Sequence, residues 1–379
     1  MTPRPVTAST PRSASCDGVA AATDIAEQLA ELGARYDAAP VYPADSMALI
    51  VKSGLHRTFA PVESSGQPFE DAVQRTLAML DVLRVIGRAD LSVGRLYEGH
   101  VNALLLFGWY GAPAQLKMLE RSLATGGLFG VWATEPAPGV VIESTPTGHV
   151  LKGSKSFATG AGGNRHALVT ARPPGGESQL VIVRADDPAR TDLSDWRVRG
   201  MRATGSGTYS LDGIEPTRDD WLGKDGDYQR DPRFTAGAWR FTAVQLGGIE
   251  ALLTEIRGAM RPAAREDPVQ RARFADAVAA TRTAYMWVRE CALRAAAEDP
   301  DSVAFAQMTR GIVERAGLDV MEAAARITGT YSARDGTRID KITRDLSLYL
   351  RQAGPDYARD QAAQAWLDRD PWGSSDALW

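Results

Sequence analysis

The stretch that decides the fold is GVWATEP, at residues 130–136, together with GAPAQLK at residues 111–117. Before it, from about Asp24 to Ala124, apolar residues recur with the period of an α-helix. After it, as far as about Trp221, short β-type runs are separated by clusters of Gly, Pro and Asp. The stretch therefore marks the passage from a helical unit to a β unit.

The β unit contains five predicted strands, and helical patterns resume after it. The predicted strands are Leu128–Thr134, His149–Leu151, His166–Ala171, Leu180–Arg184 and Thr208–Leu211. From Phe234 almost to the end the periodicity is helical again, with predicted helices at Gly311–Thr328 and Ile342–Leu367. We expect an α+β protein with four parts: a flexible lead at 1–20, a helical domain at 21–125, a middle β domain at 126–225 and a helical bundle at 226–379.

The composition excludes several classes of protein. The 379 residues include 43 Lys and Arg against 47 Asp and Glu, a net charge of −4 without long charged blocks, so we expect neither nucleic acid nor a membrane as a partner. No run approaches the roughly 20 apolar residues of a membrane span. Two cysteines give no disulfide framework, and the four histidines lack metal-ligand spacing. We expect a cytoplasmic protein without a metal site.

Four segments, in order, resemble the acyl-CoA dehydrogenase family over about Gly54 to Pro355. The opening stretch is similar to the family's G-x-x-x-Q-x-K and T-E-P signatures. The other three are GSKSFAT at 153–159, GMRATGSGT at 200–208, and the segment from RITG at 326–329 to Arg344-Asp345. The resemblance implies a helical N-terminal domain, a central antiparallel β domain and a C-terminal four-helix bundle. It also implies that the 200–208 segment closes the β domain onto the helical unit.

The same resemblance implies FAD as the cofactor, with FMN as the alternative. Trp132, Ala133 and Thr134 would lie along the isoalloxazine ring, with Phe157 against the ring and Thr159 hydrogen-bonded to it. A flat apolar side chain beside a redox-active ring excludes water from it. Taken alone, Phe157 is also compatible with a core position, and the 130–136 stretch with an ordinary strand end.

Two residues near the C-terminus belong to the same implied cofactor site. Arg326 and Gly329 would contact the FAD of a neighbouring subunit, although Arg326 stands where the family has Gln. A glycine there would let the cofactor approach the backbone closely. A shared site of this kind requires a homo-oligomer, either a dimer or a tetramer.

The catalytic residues of the family are not at their usual positions. The glutamate that removes an α-proton in the dehydrogenases corresponds to Ala353, and a methyl group cannot accept a proton. Trp239 takes the alternative glutamate position, although Arg240 matches the arginine beside it. The phosphate-contacting loop at 137–141 and the R-x-x-F-G motif at 265–268 have also changed. These changes weaken the case for an ordinary fatty acyl-CoA substrate.

Polar residues remain on the helix that lines the acyl cavity in the family. Glu98 is the candidate substitute base, and His100 is a candidate catalytic residue because related flavin monooxygenases of this fold use a histidine in this region. A histidine satisfied at a helix start or a subunit interface is an equally good interpretation of His100. Asn102, Arg240 and Ala353 complete the expected substrate pocket.

Three functions are compatible with these residues. The first is an FAD-dependent oxidoreductase that acts on an acyl thioester or another activated small molecule and passes electrons to a transfer partner. The second is a two-component monooxygenase that uses O2 and reduced flavin from a partner flavin reductase, and it needs no α-proton base. The third is a non-catalytic flavin-binding scaffold.

Overall fold

The N-terminal unit is helical in the computed structural model, which describes residues 17–352 and 354–367. Its helices are α1 (Asp17–Ala38), α2 (Ala44–Lys52), α3 (Leu55–Thr58), α4 (Ala72–Ala89), α5 (Leu91–Tyr110) and α6 (Pro113–Ala124). Helix α1 begins at Asp17, inside the predicted lead of residues 1–20, while residues 1–16 lie outside the described part. Asp90 separates α4 from α5 and caps α5, because its Oδ1 accepts a hydrogen bond of 2.9 Å from Val93 N.

The middle unit is built from three small sheets. Its strands are β1 (Phe129–Trp132), β2 (Val141–Thr145), β3 (Gly148–Lys152), β4 (Ser154–Ala158), β5 (His166–Ala171), β6 (Gln179–Arg184), β7 (Thr191–Asp192), β8 (Gly207–Ser210) and β9 (Trp221–Leu222). The sheet orders are β1-β5-β6-β9, β2-β3 and β4-β8-β7. All five predicted strands are present, and their ends differ from the expected ends by two residues at most.

The middle unit is mainly antiparallel, as expected, but it contains one parallel strand pair. Strands β1 and β5 are parallel, with Phe129 opposite His166, whereas the other strand pairs within the described residues are antiparallel. The chain between β1 and β5 forms β2, β3 and β4 before it returns, so it re-enters the sheet in its original direction. Strands β2 and β4 were not predicted, because their Glu, Ser, Thr and Lys residues weaken the apolar alternation.

The C-terminal unit is a helical bundle. Its helices are α7 (Trp239–Ala259), α8 (Pro262–Glu266), α9 (Pro268–Ala296), α10 (Ser302–Thr328), α11 (Arg338–Tyr349) and α12 (Pro355–Leu367). The predicted single helix Ile342–Leu367 is in fact two helices, because Gly354 has a φ of +61° and Pro355 cannot continue a helix. The expected order of helical, β and helical units is confirmed. Among the described helices, none combines the length and hydropathy that crossing a membrane requires.

Glycines let α4, α5 and α7 approach closely at the centre of the molecule. A Cβ atom added to Gly87 would lie 2.4 Å from Val244 O, and one added to Gly247 would lie 2.2 Å from Arg84 O. On α5, a Cβ added to Gly94 would lie 2.5 Å from a methyl carbon of Val244. A larger side chain at any of these positions would push the helices apart.

Helix α11 connects the β domain to the helical units. Asp345 Oδ1 accepts a hydrogen bond of 2.5 Å from Met201 N, and Arg344 Nη1 donates to Arg199 O at 2.8 Å. Lys341 Nζ lies 2.7 Å from both Asp90 Oδ2 and Asp345 Oδ2. The 200–208 segment therefore closes the β domain onto α11, and the same contacts fix the start of α5.

Candidate active site

The end of β1 and the start of β4 lie side by side. Ser156 N donates a hydrogen bond of 3.0 Å to Thr134 O. Lys155, whose side chain is fully buried, forms an ion pair with Glu135 and donates to Thr170 Oγ1 at 2.8 Å. Burial of this ammonium lowers its pKa. These contacts fix the two predicted cofactor segments, 130–136 and 153–159, against each other.

Three residues of this pair of segments are exposed to solvent, and we call them the shelf: Ala133, Thr134 and Phe157. Ala133 and Thr134 are exposed, and Phe157 is 63% exposed. Phe157 also has a φ of +51°, and its ring meets Trp196 edge-on at 6.3 Å between centroids. A positive φ in a bulky residue costs of the order of 1–3 kcal/mol, and such strain is concentrated at functional sites.

Trp132 and Thr159 support the shelf from the interior. Trp132 is 2% exposed, packs on Tyr209 and donates from Nε1 to Thr159 O at 3.0 Å. Thr159 Oγ1 lies 2.8 Å from Ser206 Oγ, within a buried group of hydroxyls. The structure therefore brings Trp132, Ala133, Thr134, Phe157 and Thr159 together, with the first and last of them facing inward.

Helix α5 carries a buried chain of polar side chains. Glu98 is 3% exposed, with Oε2 lying 2.5 Å from Arg95 Nη1 and Oε1 accepting from Asn102 Nδ2 at 2.5 Å. Asn102 Oδ1 in turn accepts from Arg240 Nε at 2.5 Å. Burial, together with the charge of Glu98, raises the pKa of Tyr228 to about 12. Both oxygens of Glu98 are thus engaged by neighbouring donors.

His100 links three elements of the fold. It is fully buried, and its Nδ1 accepts a hydrogen bond of 3.1 Å from Phe129 N. Because Nδ1 is the acceptor, Nε2 carries the proton and donates to His56 O at 2.6 Å. Burial lowers the pKa of His100 to about 4, so the neutral form is stable. These contacts favour the structural interpretation of His100.

A cavity of about 210 Å³ lies where α4, α5, α7 and α9 meet. Arg240 and Trp239 line it from α7, Leu105 and Trp109 from α5, and Arg75 from α4. Trp239 thus forms part of the wall at the alternative glutamate position. Burial lowers the pKa of Arg240 to about 10.

The sequence analysis missed several residues of this region. Arg95 is three positions before Glu98 on the same helix, and this spacing alone could have indicated their ion pair. Arg75 lines the cavity, and the charge of Glu98 contributes to raising the pKa of both Tyr228 and Tyr349. All three residues come from distant segments, and no local signal in the sequence relates them to α5.

Other predicted site residues are not joined to the shelf by hydrogen bonds or ion pairs in the part of the chain that is described. Arg326 is exposed and paired with Glu322 at 2.6 Å. Gly329 has φ +60° and ψ −140°, a conformation suited to glycine, and apart from its two chain neighbours no described residue has an atom within 4 Å of an added Cβ. Ala353 lies outside the described residues.

The order of a helical unit, a β unit and a helical bundle recurs among known proteins. Residues 229–364 match the family model described as acyl-CoA dehydrogenase, C-terminal domain. That segment is thus similar to the C-terminal domain of this family, and the described structure as a whole has the acyl-CoA dehydrogenase-like fold. The resemblance seen in the sequence is confirmed at this level.

Particular proteins of this fold include oxygenases as well as dehydrogenases. The FMN-bound dibenzothiophene monooxygenase from Paenibacillus sp. A11-2 superposes with a TM-score of 0.81 at 20% identity, covering 93% of this chain and 97% of that one. Butyryl-CoA dehydrogenase from Megasphaera elsdenii gives a TM-score of 0.80 at 17% identity, with coverage of 93% and 97%. At these identities the likeness establishes the fold.

Sequence similarity extends to a dibenzothiophene monooxygenase from Mycolicibacterium goodii. The two proteins are 31% identical over 157 residues, which is 38% of this chain and 38% of the relative. The matched segment therefore spans well under half of the curated relative's length.

Proposed function

We propose that this protein is a cytoplasmic flavin-dependent monooxygenase that uses reduced flavin and O2 to oxygenate a small molecule. The observation that carries the proposal is the engagement of Glu98, whose two oxygens are bound by Arg95 and Asn102. Removal of an α-proton from a thioester requires a carboxylate that can reach the substrate and accept the proton. Oxygenation has no such requirement, and the similarity to dibenzothiophene monooxygenase supports the same choice.

The shelf fits a flavin. Phe157 has a strained backbone, and its exposed side chain provides an apolar face on which a planar ring can stack. Ala133 and Thr134 are also exposed, so the adjacent end of β1 is accessible. A reduced FMN or FAD bound there would supply two electrons for the reaction of O2 with the substrate. Phe157 would exclude water from one side of the ring, and buried Trp132 and Thr159 would hold the shelf rigid.

The cavity is proposed as the substrate site. Helix α5 extends from the shelf region to the cavity. Leu96 packs on the turn at Gly160, and Asn102, Leu105 and Trp109 lie further along the same helix, where Leu105 and Trp109 line the cavity. Between Leu96 and Asn102 the helix rises about 9 Å. Arg240 would provide the polar contact to the substrate, with its guanidinium oriented by Asn102, and the aromatic rings of the wall would provide the apolar contacts.

The proposal extends to partners. A flavin reductase would deliver reduced flavin, and a homo-oligomer, either a dimer or a tetramer, would place Gly329 and Arg326 of one subunit near the cofactor of another. The positive φ at Gly329 favours glycine, and none of the described residues fills the space beside it, which supports this arrangement.

The test separates oxygenation from dehydrogenation. Purified protein loaded with FAD or FMN is mixed without oxygen with a panel of acyl-CoAs, and flavin absorbance is followed. We expect no bleaching by the panel. With a flavin reductase, NADH and 18O-labelled O2, we expect one labelled oxygen atom in the product of an aromatic or organosulfur substrate.

Each other outcome favours a different function. Bleaching of the flavin by an acyl-CoA would contradict the proposal and favour a dehydrogenase. Flavin binding without turnover in either assay would favour the scaffold. Omitting the reductase is the control, since oxygenation must then stop.

A further inference from the structure

Arg240 presents an unpaired guanidinium to the cavity. Within the described chain, Nε donates a hydrogen bond to Asn102 Oδ1, and the two Nη nitrogens form no hydrogen bond or ion pair with the described residues. A Cβ added to Gly237 would lie 2.3 Å from Arg240 Nη2, so the guanidinium lies directly against the Gly237 backbone, where a larger residue would clash with it. Asn102 thus fixes the orientation of the planar group and leaves its outer donors available.

Arg75 brings a second guanidinium to the same cavity. Its Nη2 donates to Phe59 O at 2.6 Å, which holds the side chain in place without neutralising it. Burial lowers the pKa of Arg75, and the charge of Arg75 contributes to lowering that of Arg240. Glu298 lines the cavity too, but it is exposed and forms no ion pair with either arginine among the described residues.

This pair contrasts with other cations of the interior. Arg84, Lys341 and Arg344 each have a carboxylate partner, at 2.9, 2.7 and 2.7 Å. Withdrawing a charge from water is unfavourable unless a counter-charge and hydrogen bonds compensate for it. Glu98 acts on Arg240 only from a distance, with Asn102 between them, and neither arginine has a carboxylate in direct contact among the described residues. Two neighbouring cations without a directly bound carboxylate therefore make the cavity a favourable place for an anion.

We infer that the cavity binds the oxyanion head group of a small substrate, such as a carboxylate, between Arg75 and Arg240. The part of this inference that concerns the substrate rests on the proposed function. The part that concerns binding of an anion in the cavity does not depend on it. The planar guanidinium fork matches two oxygens of one head group, and Trp109, Trp239 and Leu105 contact the apolar part of the molecule. A cavity of about 210 Å³ limits that part to roughly one ring.

Calorimetry with benzoate and neutral benzamide tests the site on the flavin-loaded wild-type protein. The two probes share shape and differ in charge. We expect benzoate to bind at least tenfold more tightly than benzamide, with the preference decreasing as salt is added, because charge-assisted hydrogen bonds provide the difference.

Variants then assign the binding to residues. Arg240→Gln and Arg75→Gln should each weaken benzoate binding at least tenfold and leave benzamide binding within threefold. Arg289→Gln is the control, because Arg289 is exposed on the neighbouring helix α9 and is not one of the residues that line the cavity, and it should change benzoate binding less than threefold. Arg240→Lys keeps the charge and should retain part of the preference.

The outcomes separate the inference from the proposed function. Two results with the wild-type protein would overturn the anion site. The first is equal affinity for benzoate and benzamide, and the second is no binding of benzoate, phenylacetate or butyrate at millimolar concentration. Neither result depends on how a variant folds. An unchanged benzoate affinity in Arg240→Gln would also overturn it. Arginine-dependent benzoate binding without any oxygenated product would leave the anion site standing and refute the monooxygenase.

Discussion

At the scale of single residues, Phe157 combines a strained backbone with an exposed aromatic ring. Phe157→Gly should leave the free energy of unfolding unchanged or raise it by up to about 1 kcal/mol, because the strain is relieved while glycine adds entropy to the unfolded chain. The same change should weaken flavin binding at least tenfold through loss of the ring contact. Thermal melting and fluorescence titration with FMN and FAD measure the two effects.

A control on another exposed aromatic residue tests the specificity of this effect. Tyr357 is 67% exposed on α12, and Tyr357→Ala should change neither quantity appreciably. Unaltered flavin affinity in Phe157→Gly would contradict the assignment of the shelf.

His100 makes stability depend on pH. Its pKa is about 4 in the folded protein and about 6.5 when unfolded, so between these values the unfolded chain binds more protons. The contribution of His100 is complete above pH 6.5 and decreases by about 3 kcal/mol as the pH falls to 4. Urea unfolding at several pH values measures this slope. His100→Gln should be less stable at pH 7 and should show a shallower acid slope; equal slopes would exclude His100 as its source.

At the scale of secondary-structure elements, Lys341 on α11 neutralises two buried carboxylates. Lys341→Met would leave Asp90 and Asp345 without their cation and should lower the free energy of unfolding by about 3–5 kcal/mol. Lys224 is exposed, and Lys224→Met should have an effect within about 0.5 kcal/mol. Comparable urea midpoints for the two variants would show that the network contributes little.

The sequence predicted elements well where periodicity is strong. Strand β5 was predicted with both ends correct, because HALVTA is apolar, buried and bounded by turns. Strand β4 was missed, since its lysine is buried by an ion pair with Glu135 that local alternation cannot indicate. The Arg95, Glu98 and Asn102 group follows helical spacing, whereas its connection to Arg240 spans 138 positions and required the fold.

At the scale of the whole molecule, apolar side chains lie exposed on the outside of the bundle. Val269 and Met286 of α9 are 55% and 63% exposed, and Leu318 of α10 is 41% exposed. If subunits cover these positions, Met286→Glu should weaken self-association at least tenfold and reduce the flavin content. Light scattering after size exclusion measures the mass, and Val62→Glu, at a 61% exposed site on the N-terminal unit, is the control. A wild-type monomer with full flavin content would contradict the shared site.

The fixed position of α5 also affects attempts to change substrate range by protein engineering. This helix is held at Asp90, at Gly94 and through both nitrogens of His100, and it borders the Gly160 turn as well as the cavity. Substitutions that rotate α5 would therefore disturb the proposed cofactor site and the proposed substrate site together. Libraries directed at Met79 of α4 and Trp239 of α7 would reshape the cavity wall and leave that alignment intact.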